Sequence, residues 1–319
     1  MTHVTYLLGA GASAQSKLPI NKDLIKALES IVYESQFIKD SIDGDRYTKT
    51  IQSTYSKVIQ DAKKEKSIDT LANIHFGNNN YLHDIKSLLW IYFSANAGKD
   101  ELDPRYKHLL LRFRDKVSKT FKLRDDFSVL TWNYDLQLEE AYASIAGLEL
   151  WKTPLHLKSY PGLYFLKKDT FNDNIDSKQV QLIHLNGCAG YYYDSEIRDY
   201  KNWYNSDLTN PQEYCNMARL VGQKFHTNAP SKTAIHNCIN FAGEENQLNE
   251  TKKDLVKLIS KKTTHLVIIG YSFQDFNENM DTFIIENMEN LRYIMIQDKY
   301  PEKIEELLRN KYPVLHSKI

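Results

Sequence analysis

The first 35 residues restrict the fold more than any other part of the sequence. His3 to Leu8 is short, β-branched and apolar, which predicts a buried strand. The small residues Gly9 to Ala14 follow, and from Pro19 apolar residues recur at helical spacing. A glycine-rich turn between a strand and a helix predicts a parallel α/β sheet whose first turn approaches a pyrophosphate. The same small residues also suit a tight turn with no ligand, and the sequence leaves both interpretations open.

Later segments extend this prediction to a whole sheet. The further segments that predict strands are Phe127–Thr131, Leu163–Leu166, Val180–Leu185, Ile235–Phe241, Thr264–Ile269 and Leu291–Ile296. Helical patterns separate most of them. The predicted fold class is therefore α/β, a Rossmann-like parallel sheet flanked by helices.

Two segments interrupt the alternation of strands and helices. Residues 37–123 carry no convincing strand and predict an insertion of three to four helices. Residues 188–245 are aromatic-rich and predict a small irregular insertion, whose aromatic side chains either stack on a ligand ring or pack a subdomain. We expect a single domain over 1–319 that contains both insertions. A dehydrogenase would place a second parallel strand soon after the first helix, so its absence counts against hydride transfer.

Composition excludes several classes of function. Lys plus Arg and Asp plus Glu each total 41, so a chain-wide nucleic-acid footprint is not expected. Cys188, Cys215 and Cys238 form no C-x-x-C pair, so neither a zinc ribbon nor a disulfide framework is expected, and no metal ligand is assigned. No apolar run approaches the roughly 20 residues of a membrane span, and no signal peptide precedes the first strand. A cytoplasmic protein is expected.

Polar or small residues follow the ends of the predicted parallel strands. They are Gly9, Gly11 and Ser13, then Asn133 and Asp135, then His184, then Gly270 and Ser272, and finally Gln297 and Asp298. Because the carboxyl ends of parallel strands share one edge, these groups are expected to converge on a ligand. Asn133 or Asp135 could instead only cap the next helix, and His184 could be a structural histidine.

These motifs, in this order, resemble those of the sirtuin superfamily. Gly9 to Ser13 (GAGAS), Thr131 to Asp135 (TWNYD), His184 before a glycine, and Gly270 to Ser272 (GYS) are similar to the sirtuin patterns G-A-G-x-S, T-Q-N-x-D, H-G and G-T-S. The helical insertion and the Ser67 to Asp69 stretch more closely resemble the SIR2-like proteins of bacterial anti-phage systems.

The resemblance implies NAD⁺ as the substrate and a role for each motif. Asn133 would order the nicotinamide ribose and the attacking water, and His184 would accept a proton. The pyrophosphate, phosphate and adenosine contacts that the resemblance implies fall on Gly9, Ala10, Gly11, Ala12, Ser13, Asp135, Gly270, Ser272, Gln297 and Asp298.

The departures from the sirtuin patterns bear on the reaction. Trp132 replaces the sirtuin glutamine, Leu185 and Asn186 separate His184 from Gly187, and the four-cysteine zinc module is missing. Since that module shapes the acyl-lysine cleft, the resemblance favours NAD⁺ glycohydrolase activity in an anti-phage effector. The alternatives are an NAD⁺-dependent deacylase, an ADP-ribosyltransferase, or a regulatory module that binds NAD⁺ or ADP-ribose without turnover.

Three expectations about behaviour follow. The isolated chain is expected to be weakly active, with activation by self-assembly or by a partner protein that acts as the sensor. Gly11→Val is expected to remove NAD⁺ affinity while the fold is kept. Asn133→Ala and His184→Ala are each expected to slow cleavage by about 10²- to 10⁴-fold, the usual contribution of a positioned base.

Overall fold

A computed structural model of the chain describes residues 2–16, 18–19, 21–34, 44–97, 102–160, 180–194, 199–202, 235–241, 250–315 and 318. The predicted strand at Leu163–Leu166 and the residues Trp203, Tyr204 and Cys215 lie outside these ranges.

A six-stranded, all-parallel sheet organises the described residues and confirms the predicted fold class. Its strands are β1 (Val4–Leu8), β2 (Phe127–Thr131), β3 (Ser159–Tyr160), β4 (Leu182–His184), β8 (His265–Ile269) and β9 (Tyr293–Gln297), in the spatial order β3-β4-β2-β1-β8-β9. The central strands β1 and β2 are almost wholly buried, which explains their continuous apolar sequences. The short strand β3 had no counterpart in the sequence prediction.

Helices cover both faces of this sheet. The α-helices that the described residues form are α1 (Asn21–Glu34), α2 (Gly44–Glu65), α3 (Ile68–Ile74), α4 (Asn79–Asn96), α5 (Pro104–Arg112), α6 (Gln137–Ala146), α7 (Thr153–Leu157), α8 (Glu250–Lys262), α9 (Glu278–Glu286) and α10 (Pro301–Lys311). Helices α8, α9 and α10 pack on one face through residues such as Val256, Ile284 and Leu308. Helices α5 and α6 pack on the other face through Leu110 and Tyr142.

Among the described residues, four helices, α2 to α5, lie between α1 and β2, the region where the sequence predicted three to four. Helices α1 to α4 share a separate apolar core that includes Leu28, Tyr55 and Leu89. Tyr134, three residues after the end of β2, belongs to this core as well. Helices α1 to α4, which we call the helical unit, therefore lie against the carboxyl edge of the sheet, where they can form one wall of a site.

The segment expected to be irregular is more regular than its sequence suggested. Its described residues form an antiparallel sheet of β5 (Gly187–Asp194), β6 (Asp199–Asn202) and β7 (Ile235–Ile239), in the order β6-β5-β7. The sheet is fixed to α4, because Trp90 Nε1 donates to Tyr191 O at 3.0 Å and Gly190 N donates to Ser94 Oγ at 2.9 Å. These pairings join residues about 100 positions apart, so no local pattern could have revealed them.

None of the described helices combines the length and the apolar character that crossing a membrane requires.

Candidate functional site

A cavity of about 340 Å³ lies at the carboxyl edge of the parallel sheet. This volume is within the range of about 300–1,000 Å³ that is typical of small-molecule sites. The strand ends contribute one side, and α3, α4 and the loop after β8 contribute the other. Its lining residues include Gly9, Ala10, Gly11, Ser13, Asp69, Phe93, Trp132, Asn133, Tyr134, Asp135, Asn186, Gly270, Tyr271, Ser272, Phe276 and Asn277.

The sheet register explains why residues so distant in sequence meet at this cavity. Leu8 pairs with Thr131 on one side and with Ile269 on the other, and Thr131 pairs with His184. The strands therefore end at one level, and the residues that follow them emerge side by side. This is the convergence that the sequence predicted for Ser13, Asn133, Asp135, Gly270 and Ser272.

The glycine-rich turn packs directly against the loop after β8. Gly9 N donates to Ile269 O, and Gly11 N, in the 3₁₀ helix Ala10–Ser16, donates to Gly270 O, each at 3.0 Å. A Cβ on Gly11 would lie 2.7 Å from Gly270 Cα, and one on Gly270 would lie 2.4 Å from Gly11 Cα. Both glycines are therefore required by backbone contact alone, and both of these N–H groups already have protein acceptors.

This contact contradicts the expectation that Gly11→Val would spare the fold. The valine side chain would meet the backbone of residue 270, which cannot move aside as a flexible side chain can. The sequence could not show this, because Gly11 and Gly270 are 259 positions apart.

A hydrogen-bond network fixes the orientation of the Asn133 amide. Ser13 Oγ donates to Asp135 Oδ2 at 2.8 Å and lies 3.2 Å from Asn133 Nδ2 and 2.9 Å from the Tyr106 hydroxyl oxygen. A hydroxyl has a single hydrogen to donate, so Ser13 accepts from both Asn133 and Tyr106. Because Asn133 is only 7% exposed, the network holds its amide at one place in the cavity wall.

Asp135 lies both at the start of α6 and in the wall of the cavity, and its predicted contact with the ligand stays a prediction. Its Oδ1 accepts from Gln137 N at 3.1 Å at the start of α6, while the residue also lines the cavity. Burial raises the pKa of the Asp135 carboxyl to about 6, against the opposing effect of its hydrogen bonds from Gln137 N and Ser13. At neutral pH the carboxylate adds negative charge to this wall.

His184 lies behind the cavity and does not line it. The side chain is 2% exposed, its Nδ1 is 3.2 Å from Asn133 O, and its Nε2 is 2.7 Å from Glu139 Oε1. Although burial opposes a charge on the ring, the Glu139 carboxylate and its hydrogen bond raise the pKa of His184. Its predicted role as proton acceptor stays a prediction.

Glu139 is a residue that sequence reasoning missed. It is 2% exposed on α6, beside the more exposed Glu140. Two adjacent glutamates in the first turn of a helix look alike in sequence, because either would suit the helix dipole. Only the packing of α6 against β4 separates them.

Sequence reasoning also missed a hydrogen-bonded group, Tyr134, Asp69 and Asn186, at the wall that the helices contribute to the cavity. The Tyr134 hydroxyl donates to Asp69 Oδ1 at 3.2 Å and accepts from Asn186 Nδ2 at 3.5 Å. Burial raises the pKa of the Asp69 carboxyl. The similarity of the Ser67 to Asp69 stretch to SIR2-like proteins was the only sequence signal for this wall.

An aromatic wall closes the third side. Trp132 stacks on Tyr271 with ring centroids 5.8 Å apart, and Asn277 Nδ2 donates to the Tyr271 hydroxyl at 3.0 Å. Within the described part of the chain, Trp132 Nε1 and Asn277 Oδ1 are buried without a hydrogen-bond partner. Both rings are largely buried and belong to the core beside the cavity that they line.

Three of the predicted contact residues do not line the cavity. Ala12 is buried in the core beneath α5, and its carbonyl oxygen accepts from Arg105 Nη2 at 3.0 Å. Gln297 is exposed at the end of the edge strand β9, and Asp298 Oδ1 accepts from Tyr300 N before α10. The sequence placed them correctly at strand ends or in the turn, but side-chain direction and strand order take them away from the cavity.

The described residues contain no cluster of three or more histidine, cysteine or acidic side chains suited to a metal ion.

Comparisons with known proteins give one family and several structural matches. The family model of the SIR2-like domain matches residues 128–315, more than half of the chain. A Sir2 homolog in complex with NAD aligns with a TM-score of 0.42 and 12% identity, covering 98% of this chain and 90% of the other. A sirtuin structure that addresses the structural basis of sirtuin substrate affinity aligns with a TM-score of 0.41 and 11% identity, covering 98% of this chain and 93% of the other. The structure of Sir2Tm bound to a propionylated peptide aligns with a TM-score of 0.39 and 12% identity, covering 98% of this chain and 94% of the other. A search of curated proteins found no match.

Proposed function

Because this chain belongs to the family of SIR2-like domains, we propose that it is an NAD⁺ glycohydrolase. It cleaves the nicotinamide–ribose bond and releases nicotinamide and ADP-ribose. The observation that carries the proposal is the Asn133 amide, held by Ser13 in the wall of a cavity at the carboxyl edge of a parallel sheet. That edge is where open α/β sheets bind their ligands.

The reaction needs little acid–base chemistry. Nicotinamide is cationic in NAD⁺ and leaves without protonation, through a transition state that resembles the oxocarbenium ion of glycoside cleavage. The protein must place a water molecule, orient the ribose and accommodate the positive charge that develops on the sugar. The anchored Asn133 amide suits the first two tasks, and the Asp135 carboxylate, ionised above its pKa of about 6, suits the third.

The cavity walls suit the two kinds of group in NAD⁺. Trp132 and Tyr271 offer an aromatic surface for a ring, while Ser13, Asn133 and Asp135 offer polar groups for a ribose. The segment from Gly9 to Ser13, with Gly270 and Ser272, is the proposed side for the phosphates. In this arrangement Gly9, Gly11 and Gly270 act by letting two backbones approach closely.

The decisive experiment measures nicotinamide after purified protein is incubated with NAD⁺ alone, and again with NAD⁺ and an acyl-lysine peptide. Release from NAD⁺ alone supports the glycohydrolase. Release that requires the peptide indicates a deacylase, and transfer of ADP-ribose to protein indicates a transferase. Binding without release under all of these conditions, also at high protein concentration and with the partner added, indicates a regulatory module.

We also propose a cellular role, by resemblance to the SIR2-like proteins of anti-phage systems. The enzyme depletes cytoplasmic NAD⁺ during infection, and self-assembly or a sensor partner activates it. The rate of nicotinamide release per chain should then rise with protein concentration or on addition of the partner. Full turnover by a dilute monomer would contradict this mode of control.

A further inference from the structure

We propose that Glu139 and His184 form a positioning pair that fixes the main chain at Asn133, and that His184 affects NAD⁺ cleavage through Asn133 without contacting the substrate. This inference rests on the proposed function of Asn133. It differs from the predicted role of His184 as the group that accepts a proton from the ribose or from water.

The chemistry of the two neighbours fixes the hydrogens on the ring. Asn133 O is a carbonyl oxygen and can only accept, so Nδ1 must carry a hydrogen across the 3.2 Å contact. Nε2 faces Glu139 Oε1 at 2.7 Å. Whether the proton between them stays on nitrogen or on oxygen, Nδ1 remains the donor to Asn133. Glu139 therefore selects the ring state that holds the Asn133 carbonyl.

Burial makes this arrangement durable. His184 and Glu139 are each 2% exposed, so neither has water to replace a lost partner. Glu139 Oε2 is buried and has no hydrogen-bond partner among the residues that the structure describes. Breaking the pair would leave further buried polar atoms unpaired, which is costly. His184 thus has no nitrogen left for a substrate proton while the pair is intact.

The pair completes the support of Asn133. Thr131 Oγ1 accepts from Asn133 N at 3.1 Å, His184 binds its carbonyl oxygen, and Ser13 binds its side-chain amide. The main chain is thus held on both sides of the residue whose amide faces the cavity. We expect a loss of about 10- to 100-fold in activity when the pair is removed, by analogy with residues that orient metal ligands in other proteins.

The test compares variants that keep or remove each hydrogen bond. Glu139→Ala should lower kcat for nicotinamide release about 10- to 100-fold with little change in KM, because ligand contacts are retained. Glu139→Gln keeps a hydrogen-bonding partner for Nε2 and should recover most of that loss. A proton acceptor that depends on the carboxylate would instead lose as much with Gln as with Ala. Glu140→Gln, the same charge change one residue along α6, is the matched control and should leave kcat unchanged.

Two variants of His184 distinguish its role as donor to Asn133 O from a role as proton acceptor. This comparison holds even if Glu139→Ala fails to fold. The Nδ2 of asparagine stands on Cγ as His Nδ1 does, so His184→Asn keeps a donor near Asn133 O but has no basic nitrogen. Its kcat should be at least about tenfold above that of His184→Ala. Equal losses in His184→Asn and His184→Ala would overturn the proposal.

Nitrogen-15 spectra of selectively labelled histidine test the pair without any activity. Nδ1 of His184 should be protonated in the wild type and in Glu139→Gln, and the Asn133 side-chain amide signals should shift in Glu139→Ala but not in Glu140→Gln. An unprotonated Nδ1 in the wild type would overturn the pair even if NAD⁺ is cleaved. A protonated Nδ1 with no NAD⁺ cleavage would support the pair and count only against the proposed function.

Discussion

The two halves of the cavity edge achieve their shape by different means. At β1 and β8 the contact between Gly11 and Gly270 is made by backbone atoms, with no room for a single Cβ. At β2 and β4 the contacts are made by the side chains of Asn133, Asp135 and His184. Substitution in the first half should therefore damage the fold, whereas substitution in the second should damage activity while the fold is kept.

The largest effect is expected from Gly270→Ala. Its Cβ would lie 2.4 Å from Gly11 backbone atoms, and its φ of +58° is unfavourable for alanine. Gly147→Ala is the matched control, because Gly147 has φ +65° but nothing within 4 Å of the added Cβ. The control should lose only the left-handed penalty of about 1–2 kcal/mol in unfolding free energy. In chemical denaturation, Gly270→Ala should lose clearly more unfolding free energy than Gly147→Ala. Equal losses would mean that close backbone contact does not determine the shape of the β1–β8 half of the cavity edge.

Asn133→Ala should give the largest effect on activity with the fold intact. It removes the amide that Ser13 holds in the cavity wall, and the loss of a preorganised donor typically costs about 10²- to 10³-fold in kcat. Calorimetric affinity for NAD⁺ should change little, because the other walls supply most contacts. A kcat within threefold of the wild type would exclude Asn133 from the reaction.

Asp135→Asn should change the pH dependence of stability. The folded-state pKa of about 6 lies above the ordinary pKa of an aspartate side chain, so the folded protein binds this proton more tightly. The stabilisation is fully present below the unfolded pKa and is lost as pH rises through about 6. The variant should therefore gain melting temperature relative to the wild type between pH 5 and pH 7.5. A constant difference across that range would show that Asp135 is not perturbed.

The smallest effect is expected from Asp84→Asn in the helical unit. Burial raises the pKa of Asp84 to about 6 as well, but Asp84 does not line the cavity. At about pH 3, the wild-type Asp84 and the introduced asparagine side chain are both largely neutral in the folded and the unfolded chain, so the two unfolding free energies should agree within about 0.5 kcal/mol, as for a benign substitution. Nicotinamide release should be unchanged at every pH. A loss of activity would mean that the helical unit affects the reaction through more than its wall of the cavity.

Much of the fold followed from local patterns. The strands β1, β2, β8 and β9 are short apolar runs, which the sequence predicted as strands. The positions of Asn133, Asp135 and Gly270 after strands also followed, because a parallel sheet places its carboxyl ends together. Local order along the chain was sufficient for these predictions.

Only the tertiary structure decided which atoms face the cavity and which face each other. Glu139 and Glu140 are equivalent in sequence, yet one binds His184 in the core while the other is more exposed. Gly11 requires glycine because of Gly270, and Ser13 orients Asn133 from 120 positions away. Gln297 ends a strand as Asn133 follows one, but strand order takes it out of the site. Hydrophobic periodicity reports which face of an element is buried, whereas pairwise hydrogen bonds and close backbone contacts depend on packing between distant segments, which no local pattern records.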